Sequence, residues 1–272
     1  MKMRIIVGVL LLLMLGATLY FGGLVLVIVL TLFSFAAVYE MGLAFRNKGY
    51  QPFLMPAYLF SLGYGFVYHY LGLLSMVVLY LCSILVTMGC SVFSRTRRVP
   101  DMIAAIFIHI YPIQLLICML LVYESYDRAL ALTAACLAFF GPEICDTFAY
   151  FGGTFFGKHK LCPSISPKKT VEGSVSALVG GVLLGGVLFF VQQIWKGPVH
   201  WAVLLGMGLC IGVMSQIGDL FASTIKRWSG IKDFSSVFPG HGGIMDRIDS
   251  ILFSAPFVLL VFTVLTSLGI YA

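Results

Sequence analysis

The sequence has 272 residues, of which 60% are hydrophobic and only 10% are charged. A water-soluble domain carries roughly 25% charged residues, so this composition excludes a soluble globular protein. It predicts a polytopic membrane protein, and the net charge of +6 suits a protein at an anionic lipid surface.

A membrane-spanning helix needs about 20 apolar residues. Nine candidate spans follow one another along the chain: 4–21, 23–44, 53–70, 72–93, 102–122, 129–151, 173–195, 201–222 and 248–270. The start of the first span resembles a signal peptide, but apolar character resumes after Gly22-Gly23, which favours a retained span. Lipid offers no partner to unpaired backbone groups, and no barrel-like alternation is present. The expected fold class is therefore all-α, with short turns at Gly22-Gly23 and near Gly72.

The distribution of Lys and Arg predicts the orientation of these spans. Of the 17 basic residues, 15 lie at the N-terminus or in the loops after spans two, four, six and eight, and only Arg128 and Lys196 lie on the other side. Because basic loops stay in the cytoplasm, the N-terminus and the loops 152–172 and 223–247 should face the cytoplasm. Nucleotides are found in the same compartment.

Acidic residues are concentrated near the ends of the last two spans. Asp219 lies near the end of span eight, and Asp246 and Asp249 open span nine, three residues apart on one helix face. An Asp inside a membrane costs about 2.5–3.5 kcal/mol, so these side chains should face a polar cavity on the cytoplasmic side. Three converging carboxylates would suit Mg²⁺ that holds substrate phosphates. The alternative is an ion-pair network with the neighbouring bases Lys226, Arg227 and Arg247.

Basic residues and glycines share the segment between these spans. Lys226 and Arg227 precede the turn Pro239-Gly240-His241-Gly242-Gly243, and Lys232 and Arg247 flank it. Arg and Lys side chains can bind a polyphosphate, and glycines let backbone N–H groups approach an anion. The alternatives are anchoring of the bases at lipid headgroups and a purely structural role for His241.

A second loop, from Asp146 to Ser174, has a similar character. Asp146 and Tyr150 are four residues apart and share one helix face. The run Ser-Pro-Lys-Lys-Thr at 166–170, followed by Glu172-Gly173, is typical of a helix start with cations beside it. By itself this segment could also be an ordinary basic loop.

The residues from Ser223 to Asp249 resemble the signature of the phosphatidate cytidylyltransferase family. The match reads S-T-I-K-R, four residues, K-D, and then F-P-G-H-G-G-I-M-D-R-I-D, with every fixed position present. The upstream segments DTFAYFGG, FGKHKL and SPKKT-x-EG also resemble that family. These motifs cover about 146–250, and the first half of the chain agrees with the family only in its hydrophobic character. We expect N-terminal transmembrane helices, 1–128, and a C-terminal catalytic region, 129–272.

The resemblance implies that phosphatidic acid attacks the α-phosphorus of CTP, giving CDP-diacylglycerol and pyrophosphate. It implies Mg²⁺ as the cofactor, allows for a second, monovalent cation, and makes Asp219 and Asp246 metal ligands with Asp249 close by. A bacterial inner membrane and a homodimer are typical of what it implies. Five matching bases are expected to contact substrate phosphates: Lys226, Arg227, Lys232, His241 and Arg247. The other positions expected to bind substrate are Asp146, Lys169, Ser223, Gly242 and Gly243. The residues expected to act in catalysis are Asp219, Asp246, Asp249, Lys226 and Arg247.

Other functions fit the sequence less well. The same chemistry on another lipid phosphate, such as an isoprenoid ether lipid, stays open. A transporter should carry paired, interrupted helices in two repeats, and no such repeat is evident. A structural scaffold leaves the costly acids unexplained. Nucleic-acid binding is not expected, because the bases are spread over short loops without a recognisable module.

Overall fold

The computed structural model describes residues 13–93, 98–238 and 242–269. In these ranges seven helical segments are long and apolar enough to cross a membrane: Gly23–Asn47, Met55–Val92, Val99–Glu124, Arg128–Phe156, Val171–Trp195, Trp201–Trp228 and Met245–Leu268. The prediction of an all-α, polytopic membrane protein is confirmed. The count of nine spans includes one that begins outside the described residues, and it stays a prediction.

The elements follow in chain order. Helix α1 comprises the described residues 13–21, and it is followed by α2 (Gly23–Asn47), α3 (Met55–Val92), α4 (Val99–Ile108), a π-helical turn (His109–Gln114) and α5 (Leu115–Glu124). Next come α6 (Arg128–Phe156), β1 (Lys160–Cys162), β2 (Ser166–Thr170), α7 (Val171–Val191), a 3₁₀ turn (Gln192–Trp195), α8 (Trp201–Trp228) and α9 (Met245–Leu268). The short antiparallel hairpin of β1 and β2 was not predicted.

The chain divides into two compact units. The first comprises Met1–Leu120 with Ile225–Arg247, and the second comprises Leu121–Thr224 with Ile248–Ala272. In the first unit, the largest buried side chains include Phe60 and Tyr64 of α3.

Gly72 interrupts α3 at the turn that the sequence predicts. Its φ of 81° and ψ of 179° lie outside the helical region and are readily adopted by glycine. The Ser83 hydroxyl donates a hydrogen bond to the Pro56 carbonyl at 3.0 Å, although a straight helix would separate these residues by about 40 Å. The two arms of α3 therefore fold back on each other, as the third and fourth predicted spans require.

In the second unit, α7 and α8 approach backbone to backbone. A Cβ added to Gly181 would lie 2.8 Å from the carbonyl carbon of Gly208, and a Cβ on Gly208 would lie 2.6 Å from that of Gly181. One turn along α7, a Cβ on Gly185 would lie 2.7 Å from the Leu204 carbonyl carbon. Small residues spaced by four are a common basis of helix packing in membranes, where backbone contact replaces the hydrophobic effect.

We predict that Gly181→Ala destabilises the protein whereas Gly206→Ala does not. The added methyl group at 181 meets backbone that cannot move aside, and overpacking of this kind costs about 1–3 kcal/mol. Gly206 lies on the same helix as Gly208, but beyond its own stretch of helix no atom of the described residues lies within 4 Å of its added Cβ. Melting temperatures of the purified variants in detergent measure the difference. Equal melting temperatures would contradict the close approach of α7 and α8.

Candidate active site

A cavity of about 400 Å³ with several polar side chains in its walls lies in the second unit. Its walls come from the end of α6, the β-hairpin, the start of α7 and the middle of α8. The charged and amide side chains that line it include Asp146, Lys168, Lys169, Gln216 and Asp219, and the Ser174 hydroxyl contributes as well. The cavity therefore presents carboxylates, ammonium groups and neutral hydrogen-bonding groups together.

Local sequence explains how the α6 and α7 walls are built. Asp146 and Tyr150 both line the cavity, which confirms the prediction that they share a helix face. Thr170 caps α7, because its hydroxyl accepts a hydrogen bond from the Gly173 N–H at 3.1 Å, as the predicted helix start requires. A Cβ on Gly173 would lie 2.7 Å from the Ala149 carbonyl oxygen, so this wall needs glycine.

Asp219 forms an ion pair with Lys169 in this cavity. About a quarter of each side chain is exposed, at 27% for Asp219 and 23% for Lys169. The Ser223 hydroxyl lies 3.4 Å from the other carboxylate oxygen of Asp219. The sequence predicted roles for all three residues but did not pair them. An ion pair that is still open to solvent can exchange its partner for a charged ligand.

Asp146 and Asp249 each interact with Ser250 in the same unit. The Ser250 hydroxyl donates to Asp146 Oδ2 at 3.2 Å, and the Ser250 N–H donates to Asp249 Oδ1 at 2.7 Å. Asp249 is buried, with 8% of its surface exposed. Ser250, which the sequence analysis did not select, therefore links two of the predicted acids.

The signature segment forms a second polar cluster, which lies in the first unit. Lys226 Nζ and Asp246 Oδ1 are 2.7 Å apart, and only 10% and 5% of their side chains are exposed. Asp246 Oδ2 accepts the N–H groups of Phe234 at 2.8 Å and Gly243 at 3.0 Å. Asp246 thus fixes two points of the loop and neutralises a buried lysine.

Gly242 explains part of the glycine turn. Its φ of +80° is unfavourable for residues with a side chain, and an added Cβ would lie 2.7 Å from Asp246 Oδ2. The group that approaches this glycine is a carboxylate of the chain itself, and the approach of the turn to a phosphate stays a prediction.

The remaining predicted bases lie in different environments. Helix α8 continues to Trp228, six residues beyond the predicted span, so Lys226 and Arg227 lie on the helix. Cations in a last turn interact favourably with the helix dipole, which helps to explain the extension. Lys232 is exposed, and Arg247 has a buried Nε without a hydrogen-bond partner in the described part of the chain. His241 lies outside the described residues.

The donor chemistry of the cavity fits a hard cation. Mg²⁺ is usually held by one or two carboxylates, with substrate phosphates and water completing its shell. Asp146 and Asp219 provide two carboxylates in one cavity. Over the described ranges, no three His, Cys, Asp or Glu side chains are grouped closely enough to hold a metal by themselves. Substrate oxygens would therefore have to complete the coordination.

Sequence reasoning missed Gln216, Ser174 and Glu40. Gln216 lines the cavity three residues before Asp219, and its amide oxygen accepts a hydrogen bond from the Ser174 hydroxyl. Glu40 is buried in the first unit, at 1% exposure. Its position inside the apolar span 23–44 was a usable signal, because an isolated intramembrane acid requires a local partner.

The fold and these clusters define a class of protein: a multi-pass membrane protein whose polar sites pair lysines with carboxylates. Comparison with known sequences identifies the family. The cytidylyltransferase family model matches residues 2–265, so the chain belongs to the cytidylyltransferase family. The family membership that the signature segment indicates is therefore confirmed.

Individual relatives agree with the family assignment. A phosphatidate cytidylyltransferase of Aquifex aeolicus is 50% identical over 122 residues, which are 45% of this chain and 44% of the relative. The proteins of the same name from Bacillus subtilis and Synechocystis sp. are 44% identical over 113 residues and 43% identical over 150 residues. These matches cover 42% and 53% of this chain, and 41% and 49% of the relatives. The chain thus spans about half the length or less of the curated relatives it matches.

We predict that Lys226→Met strongly destabilises the protein, because it leaves the buried Asp246 carboxylate without its cation. Breaking a buried ion pair on one side costs about 3–5 kcal/mol. The double variant Lys226→Met/Asp246→Asn removes the unpaired charge and should recover part of the loss. Thermal unfolding in detergent measures both, with Lys160→Met, at an exposed lysine of β1, as the control. A Lys226→Met variant as stable as this control would contradict the buried pair.

Proposed function

We propose that the protein transfers the cytidylyl group of CTP to phosphatidic acid, giving CDP-diacylglycerol and pyrophosphate. Family membership and the names of the matched relatives support this reaction. The observation that carries it is the cavity in which Lys169 and Asp219 are paired beside Asp146, since a reaction between two phosphates needs both cations and cation-binding acids.

In the proposed reaction, a phosphate oxygen of phosphatidic acid forms a bond to the α-phosphorus of CTP. The bond between that phosphorus and the α–β bridging oxygen breaks, and pyrophosphate leaves with the electron pair. The nucleophile is already anionic, so the reaction needs no general base. Its barrier comes from repulsion between the two substrates, and catalysis therefore consists of positioning and charge neutralisation.

The basic residues of the chain have distinct tasks in this proposal. Lys169 leaves its carboxylate partner to bind a phosphate in the cavity. Lys226 keeps Asp246 in place within the signature cluster, while the exposed Lys232 and Arg227 attract the anionic substrates. Arg247, whose Nε lacks a partner in the described structure, binds a phosphate oxygen through its guanidinium.

We propose Mg²⁺ as the cofactor, with Asp219 as its main protein ligand. Asp146 would serve as a second ligand in the same cavity, and Asp246 and Asp249 remain predicted ligands. When bound, the ion would neutralise charge on the triphosphate. A second, monovalent cation is compatible with the number of acids but is not needed by the proposed chemistry.

The setting of the enzyme is also a proposal. The predicted concentration of 15 basic residues on one side of the membrane favours a site open to the cytoplasm, where CTP is available. The matched relatives come from bacteria, which supports a location in the bacterial inner membrane. The acyl chains of the lipid substrate could then stay in the bilayer while its headgroup enters the cavity. Association into a homodimer is part of the same proposal.

Incubation of purified protein with labelled CTP, phosphatidate and Mg²⁺ tests the proposed reaction. We expect labelled CDP-diacylglycerol in the lipid extract, and at least about 100-fold less with Asp219→Asn. The variant Glu124→Gln removes an acid outside both clusters and should behave as wild type. No labelled lipid from the wild-type protein would overturn the proposal. A clear preference for an isoprenoid ether lipid phosphate over phosphatidate would change the proposed acceptor but not the proposed cytidylyl transfer.

Metal dependence separates the roles of the two partners in the cavity ion pair. We expect a chelator to abolish turnover and added Mg²⁺ to restore it. Lys169→Met should raise KM for CTP with little change in the Mg²⁺ concentration needed for half-maximal rate, since the lysine binds phosphate. Asp219→Asn should raise that Mg²⁺ concentration. An unchanged Mg²⁺ requirement in Asp219→Asn, with turnover retained, would remove this residue from the metal site.

A further inference from the structure

The signature loop is the segment 229–244 between α8 and α9, and its incoming and outgoing arms lie before and after the glycine turn. We propose that Glu40, on α2, is a positioning residue that clamps both arms of this loop and thereby sets the position of the first residues of α9. The clamp is a feature of the fold, and its effect on catalysis rests on the function proposed above. Glu40 is distant in sequence from every segment used in the chemistry.

The contacts of Glu40 join it to both arms of the loop. Its Oε1 accepts the Ser235 hydroxyl at 2.6 Å on the incoming arm and the Ile244 N–H at 3.0 Å on the outgoing arm. Its Oε2 accepts the Met245 N–H at 2.8 Å. These partners are 195, 204 and 205 residues away in sequence, and 1% of Glu40 is exposed.

Glu40 caps the start of α9 from a distant part of the chain. Met245 is the first residue of α9, and N–H groups at a helix start have no partner within the helix. A carboxylate at this end also interacts favourably with the helix dipole. Since Asp246 and Arg247 follow directly, a displacement of the helix start would displace both of these predicted site residues.

Gly243 shows how closely Glu40 fits the loop. A Cβ added at position 243 would lie 2.6 Å from both Cδ and Oε2 of Glu40. The second glycine of the Gly242-Gly243 pair is thus required by the Glu40 carboxylate, in the way that the first is required by Asp246. All three groups that Glu40 binds are donors, so it holds the loop rather than a substrate.

Asp101 provides a matched control in the same unit. It is also a buried acid, at 2% exposure, and it accepts the Gln51 N–H at 2.7 Å and the Arg98 N–H at 3.0 Å near the start of α4. Asp101→Asn therefore perturbs a comparable anchor, whose hydrogen bonds given above lead to Gln51 and Arg98. A merely structural role for Glu40 predicts the same behaviour for the two variants.

Limited proteolysis and steady-state kinetics of Glu40→Gln and Asp101→Asn test the proposal. Lys232 is exposed within the clamped loop and is a trypsin site. We expect cleavage after Lys232 to be at least tenfold faster in Glu40→Gln than in Asp101→Asn. We also expect kcat to fall at least tenfold more in Glu40→Gln, with KM for CTP changing less than threefold. Equal cleavage and equal kcat in the two variants would overturn the clamp.

Two further variants keep the test decisive if Glu40→Gln does not fold. Ser235→Ala removes one contact and should give an intermediate rate of cleavage after Lys232, and a wild-type rate would count against the clamp. Gly243→Ala should reduce kcat far less in a Glu40→Ala background than in the wild type, because its steric partner is gone. Additive effects would contradict the contact. Proteolysis needs no turnover, so the clamp can hold even if the proposed reaction fails.

Discussion

Neutralisation of acidic side chains in an otherwise apolar chain is the constraint on which the rest of the structure depends. Asp219 is paired with Lys169 and Asp246 with Lys226, while Glu40 is surrounded by N–H and hydroxyl donors. An acid in such a protein is costly unless a partner is supplied. The two lysine pairs differ in exposure. The buried pair holds a loop in place, whereas the more open pair lines a cavity in which a charged ligand can replace one of the two partners.

Close backbone approach is the second constraint, and glycine meets it for two purposes. Between α7 and α8, Gly181 and Gly208 allow two helix backbones to touch, which replaces the hydrophobic effect that is absent in lipid. In the signature loop, Gly242 and Gly243 allow the carboxylates of Asp246 and Glu40 to reach the backbone. Helix packing and the site architecture thus use the same property of the residue.

Much of the fold could be predicted because the length of an apolar segment and the position of a glycine turn can be read from neighbouring residues. The turn at Gly72 and the start of α7 after Thr170 follow from such signals and are present. The β-hairpin was missed because the strand Ser166–Thr170, which contains a proline and two lysines, has no alternating apolar pattern. The role of Glu40 was missed for another reason: its partners are about 200 residues away, and only the folded chain brings them together.

The central claim is that side chains which neutralise one another in the free protein bind the substrate and its metal instead when these are present. An experimental structure with CTP and Mg²⁺ bound is the most direct test of this claim. The account predicts that the Lys169 ammonium moves from Asp219 to a phosphate of CTP, and that the freed carboxylate faces the metal. CTP bound with the Lys169–Asp219 pair intact, and with no phosphate oxygen within hydrogen-bonding distance of Lys169, would contradict it.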